Sequence, residues 1–374
     1  MNLVIRAYVF LAALLLSSSV LAALPAEELG KKIDAVLSRT APHPFSGGVL
    51  ITQGAQAVYA RTLGQQRDTA ARNPEPDSQF LIGSISQQMT AALVLREADA
   101  KHLDLNLPIK RYLPELRDSW AYEVTTAQLL NHTSGIVELG KPLNSAPGTT
   151  FAYSNLDYFL LGMLVERVSG TPFTTLAESM FKTCKMVDTM MPPSETIANL
   201  QRRLPRLVTG YNEQADGTFR IEQGKRLAEH NPENGAISTL ADLALWDHCL
   251  HGGSVLSYSA YQAMTTPSVN AQRRQSWGTL GYGYGIQILN ADGIQEMSHN
   301  GYVGGYMATL LYYPKEKVSV VIFENTAWLQ ADMGRAFALH DQVRAVVRSY
   351  LGSEKKPFWQ FNWRRWVPFL RTSN

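Results

Sequence analysis

Two apolar runs near the C-terminal end, Met307 to Tyr313 and Val318 to Phe323, are joined by Pro314-Lys315-Glu316-Lys317. Short runs of this kind, broken by turn residues, read as paired strands. Such a pair is not stable alone and needs further strands and a covering layer. Candidates lie at both ends of the chain. Gly48 to Gln53 and Ala57 to Leu63 alternate around Gly54-Ala55 as a hairpin, and Gly283 to Leu289 reads as another strand. Ala26 to Ser38 carries Leu29, Ile33, Val36 and Leu37 at helical spacing, and Asp332 to Tyr350 forms a second amphipathic pattern. The stretch between is mostly helical. Thr125 with Gln128 resembles a capping box, Asn155 to Ser169 ends at Gly170, and Thr171-Pro172 opens the next helix. Thr239 to Leu250 closes at Gly252-Gly253. This order predicts one α+β sheet domain built from both ends, with a helical region at about 84–240 inserted between them.

The chain has 374 residues and a formal net charge of +2, a balance that points to neither nucleic acid nor an acidic substrate. Residues 1–22 read as a secretory leader: Arg6, an apolar run from Ala7 to Leu16, then small residues at Val20 and Ala22 before the expected cleavage. That places the mature domain at 23–352, outside the inner membrane, with a periplasmic location expected. Cys184 and Cys249 stand far apart in no bridge-like or metal-like spacing. They could pair in an oxidising compartment, but the default expectation is two buried thiols.

Phe80-Leu81-Ile82-Gly83-Ser84 leads into an apolar helical pattern through Met89, Ala92, Leu93, Leu95 and Ala98. A serine just inside a helix N-terminus, after glycine, is a favourable nucleophile, because free N–H groups there stabilise the charge of an attacked carbonyl. Two further segments join it: Tyr153-Ser154-Asn155 ahead of a helix, and His299-Asn300-Gly301 ahead of the strand pair. Taken in order, the three resemble the S-x-x-K, Y-x-N and K-T-G or H-x-G motifs of the serine β-lactamase and penicillin-binding-protein superfamily. The likeness is to the branch of class C β-lactamases, D-alanyl-D-alanine peptidases and related esterases. Leu129-Leu130-Asn131-His132-Thr133-Ser134-Gly135, Gly210-Tyr211 and Gly235-Ala236-Ile237-Ser238-Thr239 add to it.

The resemblance implies an antiparallel sheet flanked by the terminal helices, no metal and no cofactor. It implies Ser84 as nucleophile, Tyr153 as the proton-transfer tyrosine and Asn155 as the group holding a substrate amide. His299 and Gly301 would occupy the third motif on the edge strand. The oxyanion hole would come from the backbone N–H groups of Ser84 and Tyr302. One departure stands out: the motif lysine is Gln87. Three residues on, a side chain lies one helical turn from the serine, where an amide can neither take a proton nor supply charge. The candidate bases left are Tyr153 and His299. An unperturbed tyrosine, pKa about 10, is only about one part in a thousand phenolate at pH 7. A histidine near pKa 6.5 suits general-base work if it has a hydrogen-bonded route to Ser84. His132 and the tyrosines around Tyr282 read as structural.

The expected function is a serine hydrolase acting through an acyl-enzyme on a peptidoglycan stem peptide, a β-lactam or an ester, weakened by Gln87. The alternative is an inactive envelope protein that binds a cell-wall fragment or a partner. Residues 353–374 form a separate tail in which Trp359, Trp363 and Trp366 fall at i, i+4 and i+7 among arginines. This spacing suits either an interfacial helix on an anionic bilayer or packing back onto the domain.

Overall fold

A computed structural model of the chain describes residues 24–65, 71–192, 195–224, 231–275 and 278–353. The leader and the aromatic tail therefore lie outside the described residues. Eight strands form one antiparallel sheet: β1 Gly47–Gln53, β2 Gln56–Leu63, β3 Gln272–Gln275, β4 Gly278–Tyr282, β5 Gln287–Ala291, β6 Ile294–Val303, β7 Tyr306–Tyr313 and β8 Val318–Glu324. Their order is β2-β1-β8-β7-β6-β5-β4-β3. The N-terminal hairpin thus docks on the last strand, with Gly47 opposite Glu324 and Gln53 opposite Val318. β7 and β8 are buried at every position, which is why they read as continuous apolar runs rather than alternating ones.

The sheet has a different cover on each face. On one side α1 (Ala26–Leu37) and α7 (Ala338–Ser353) pack Leu29, Ile33, Val343 and Val347 onto Val49, Ile51, Val320 and Ile322. The other side receives the inserted helices α2 (Ser86–Asp99), α3 (Thr126–Leu130), α4 (Asn155–Ser169), α5 (Phe173–Thr183) and α6 (Leu240–His251). Phe80, Met89, Leu161 and Trp246 join Leu310, Val321 and Phe323 in that larger core. Local signals behave as their chemistry predicts. Thr125 accepts from the Gln128 N–H while the Gln128 side chain accepts from the Thr125 N–H, completing the capping box. α5 starts one residue later than expected, with Pro172 as its N-cap. The expected strand from Gly283 to Leu289 is instead a turn followed by β5. Gly283 N–H bonds the Ile286 carbonyl, and Gly285 adopts φ +69°. Among the described residues no helix is long and apolar enough to cross a membrane.

The two cysteines are not free thiols: Cys184 and Cys249 form a disulfide with their Cα atoms 5.5 Å apart. It ties the residue after α5 to α6, two segments that meet only because both pack on the inserted core. Closing a loop of 65 residues restricts the unfolded chain by about 4 kcal/mol on a chain-entropy basis. Reduction, or the Cys184→Ala/Cys249→Ala pair, should lower the melting temperature measured by circular dichroism, with a stability loss of up to about 4 kcal/mol. An unchanged melting curve after verified reduction would contradict this.

Candidate active site

Ser84 sits on a single 3-10 turn, Gly83–Ile85, that runs directly into α2. The turn is pinned from inside: Ser86 Oγ donates to the Gly83 carbonyl at 2.7 Å and accepts from the Ala236 N–H at 3.1 Å. β6 passes very close to it. A Cβ on Gly301 would stand 1.9 Å from the Ile82 carbonyl oxygen, and one on Gly83 2.8 Å from Tyr302 N. Gly83 also has φ +54°, so only glycine meets both demands there. The expected edge placement of the third motif is refined rather than simply met. β6 is an inner strand, but β5 pairs only with Ile294 to Ser298. From His299 to Val303 it keeps β7 alone and turns its other edge to the Ser84 turn.

The structure brings Ser84, Gln87, Tyr153, Asn155, His299, Gly301 and Tyr302 into one region joined by α2, the N-terminus of α4 and β6. Ser84 is half-buried, whereas Tyr153 and Asn155 are exposed. Gln87 is fully buried and occupies the centre. Its Nε2 donates to Tyr153 Oη at 2.6 Å and to Asn155 Oδ1 at 3.3 Å. Its Oε1 faces His132 Nε2 at 3.3 Å and Tyr282 Oη at 3.4 Å. Both ends of the amide are therefore used. Two residues read from the sequence as structural, His132 and Tyr282, belong to this network. Their only sequence signal was position, His132 within the Leu129–Gly135 segment and Tyr282 among neighbouring tyrosines.

His299 does not face Ser84 as a free base. Its Nδ1 donates to the Asn300 carbonyl at 2.8 Å, which leaves Nε2 as the acceptor for Tyr282 Oη at 2.9 Å. Tyr282 Oη also lies 3.4 Å from Gln87 Oε1, but its single proton is used on His299, so no continuous hydrogen-bonded path through these residues links His299 to Tyr153. Burial lowers the His299 pKa to about 4, with the Asn300 carbonyl opposing that shift. Burial likewise holds His132 well below the usual range and Tyr282 well above it. Both rings next to Gln87 are thus neutral at pH 7. Among the described residues no cluster of His, Cys, Asp or Glu could hold a metal ion.

A serine on a glycine-preceded turn, a tyrosine-x-asparagine pair and a third motif beside them, on an antiparallel sheet with helices on both faces, define a β-lactamase-like hydrolase fold. The Beta-lactamase family pattern matches residues 41–344, and the chain belongs to that family. Penicillin-binding protein 4* of Bacillus subtilis is 22% identical over 321 residues, 76% of this chain and 68% of that protein. The D-alanyl-D-alanine-carboxypeptidase/endopeptidase AmpH of Escherichia coli is 29% identical over 193 residues, 42% of this chain and 50% of that protein. Against several such relatives the chain spans only about half of their length. The D-amino acid amidase of Ochrobactrum anthropi superposes with a TM-score of 0.73 at 18% identity, covering 88% of this chain and all of that one. Named relatives are hydrolases, and a hydrolase is the class this family membership supports.

Two outcomes follow from the buried, neutral character of the site. His299 at about 4 and the buried His251 at about 3 stay neutral in the fold, whereas unfolded histidines take up protons near pH 6.5. Their stabilisation is therefore complete above about pH 6.5 and is lost as pH falls through the folded values, about 3 kcal/mol for His299 alone. Denaturant titrations at pH 7 and pH 4.5 should show this loss, and His299→Gln should reduce its slope; identical slopes would refute the assignment. Gln87→Lys puts a group with no acceptor where the His132 N–H points. It should cost about 2–3 kcal/mol in the same titration, and a variant as stable as wild type would show that the pocket is not built for an amide.

Proposed function

We propose that the protein is a serine hydrolase that forms an acyl-enzyme on Ser84, with a cell-wall stem peptide, a β-lactam or a small ester as substrate. The observation that carries this reading is the 2.6 Å hydrogen bond from Gln87 Nε2 to Tyr153 Oη, one helical turn beyond the serine. It keeps the phenol oxygen held as an acceptor while Tyr153 stays exposed to the cleft. In this mechanism the phenolate form of Tyr153 accepts the Ser84 proton as Oγ attacks the carbonyl carbon, and becomes the neutral phenol. The N–H groups of Ser84 and Tyr302 receive the developing oxyanion, and Asn155 holds the substrate amide. Tyr153 then returns the proton to the leaving group, and water repeats the sequence to release the acid. Gln87 donates a hydrogen bond to that phenolate but adds no charge. Acylation is consequently slower than with a lysine there, by up to roughly 4 kcal/mol if the phenol keeps an ordinary pKa.

A secretory leader and the Cys184–Cys249 disulfide support an oxidising, extracytoplasmic location. The saturated, charge-free surroundings of Gln87 favour a second reading, in which the cleft binds a cell-wall fragment without turning it over. A fluorescent penicillin and an activated aryl ester separate the two. Covalent labelling should be stoichiometric, absent in Ser84→Ala and at least a hundredfold slower in Tyr153→Phe. No label on folded wild-type protein would favour the binding reading, and label retained in Ser84→Ala would remove Ser84 as nucleophile.

A further inference from the structure

We propose that His132 is a positioning residue that decides which end of the Gln87 carboxamide faces Tyr153; the kinetic part of this proposal rests on the serine-hydrolase reading. His132 is the second residue past the end of α3, directly after the C-cap Asn131, where the chain reverses. Thr133 N–H bonds the Gln128 carbonyl at 2.9 Å and His132 N–H the Leu129 carbonyl at 3.3 Å, the two bonds of a Schellman turn. The residue at this position is left-handed, φ +57° here. Glycine usually takes it, and a side chain there costs on the order of 1 kcal/mol. The chain carries that strain at a residue whose ring is fully buried and lies against Phe151, Tyr153, Tyr158 and Tyr282.

The proton inventory gives the ring its task. Ser154 N–H points at His132 Nδ1 at 3.3 Å, and a backbone amide can only donate. Nδ1 therefore keeps its lone pair, and the single proton of the neutral ring sits on Nε2. That N–H is directed at Gln87 Oε1, so the carbonyl end of the amide belongs there and the NH2 end must face Tyr153 Oη and Asn155 Oδ1. The nearest carboxyl is Asp157, whose Oδ2 is 3.6 Å from Nδ1 and whose Oδ1 accepts from Ser134 Oγ. Burial raises the Asp157 pKa well above the ordinary carboxylate range, so no anion opposes a neutral ring. Without the His132 donor the carboxamide can turn end for end and present its oxygen to Tyr153. The phenol would then donate to that oxygen, which holds it protonated and disfavours the phenolate that takes the serine proton.

The test has one arm independent of turnover. In protein labelled with 15N-histidine, the resonances that vanish in His132→Asn should report a neutral ring protonated on Nε2 and not titrating above pH 5. An Nδ1–H ring, or an imidazolium at pH 7, overturns the proposal. The second arm is Ser84 acylation by an activated aryl ester. His132→Asn suits the left-handed backbone and can still accept from Ser154 N–H, but it is too short to reach Gln87, and should slow acylation at least tenfold. His132→Gln, whose amide reaches the place of Nε2, should recover most of that loss. No loss in the asparagine variant, or an equal loss in both, overturns the positioning role. If wild type forms no acyl-enzyme, the hydrolase reading fails while the nuclear magnetic resonance arm still decides the placement of the proton.

Discussion

The site depends on one close backbone approach, that of β6 to the turn bearing Ser84. Gly301 brings its Cα against the Ile82 carbonyl, and Gly83 comes up beside Tyr302 N, at separations that any side chain would forbid. This contact joins the two halves of the molecule, because β6 belongs to the sheet and the turn opens the helical insertion. It needs the free half-edge of β6, which β5 leaves uncovered beyond Ser298. The wider architecture supports it. The N-terminal hairpin completes the sheet on β8, and Ser86 locks the turn to Ala236.

Around that contact the chain has built a neutral polar interior. Gln87, His132, Tyr282 and His299 are all buried; one set of hydrogen bonds joins the Asn300 carbonyl, His299 and Tyr282, and another joins His132, Gln87 and Tyr153. Taking a charge out of water is expensive unless it is closely paired, so burial keeps these imidazoles unprotonated and the buried phenol protonated. Charged groups are buried elsewhere and with partners: Glu296 lies with Arg344 and Arg348, beside the terminal helix of the sheet's other face. A glutamine in the centre is consistent with that division. An amide offers two donors and an acceptor oxygen, and its neighbours use both ends. With no lysine or arginine bonded to Gln87 among the described residues, the direction of each hydrogen bond takes over part of the work of charge. The left-handed backbone of His132 is the strained element that sets this direction.

Much of this was legible in the chain itself. Apolar runs identified β7 and β8, Gly54-Ala55 the N-terminal hairpin, Thr125 with Gln128 a helix start, and motif order the family and its candidate residues. These are local or order-dependent signals, set by propensity, capping and turn chemistry, which act between near neighbours. The sequence alone also showed that lysine is missing after Ser84, and hence that any hydrolysis must proceed without it. Tertiary structure decided the rest. The pairing of Cys184 with Cys249 depends on how α5 and α6 pack across 65 intervening residues. The low pKa of His299 and its engagement with Tyr282 arise from burial between strands distant in sequence from α2. The orientation of Gln87 is set by a donor 45 residues away, because a side chain's protonation and hydrogen-bond direction are properties of its surroundings and not of its place in the chain.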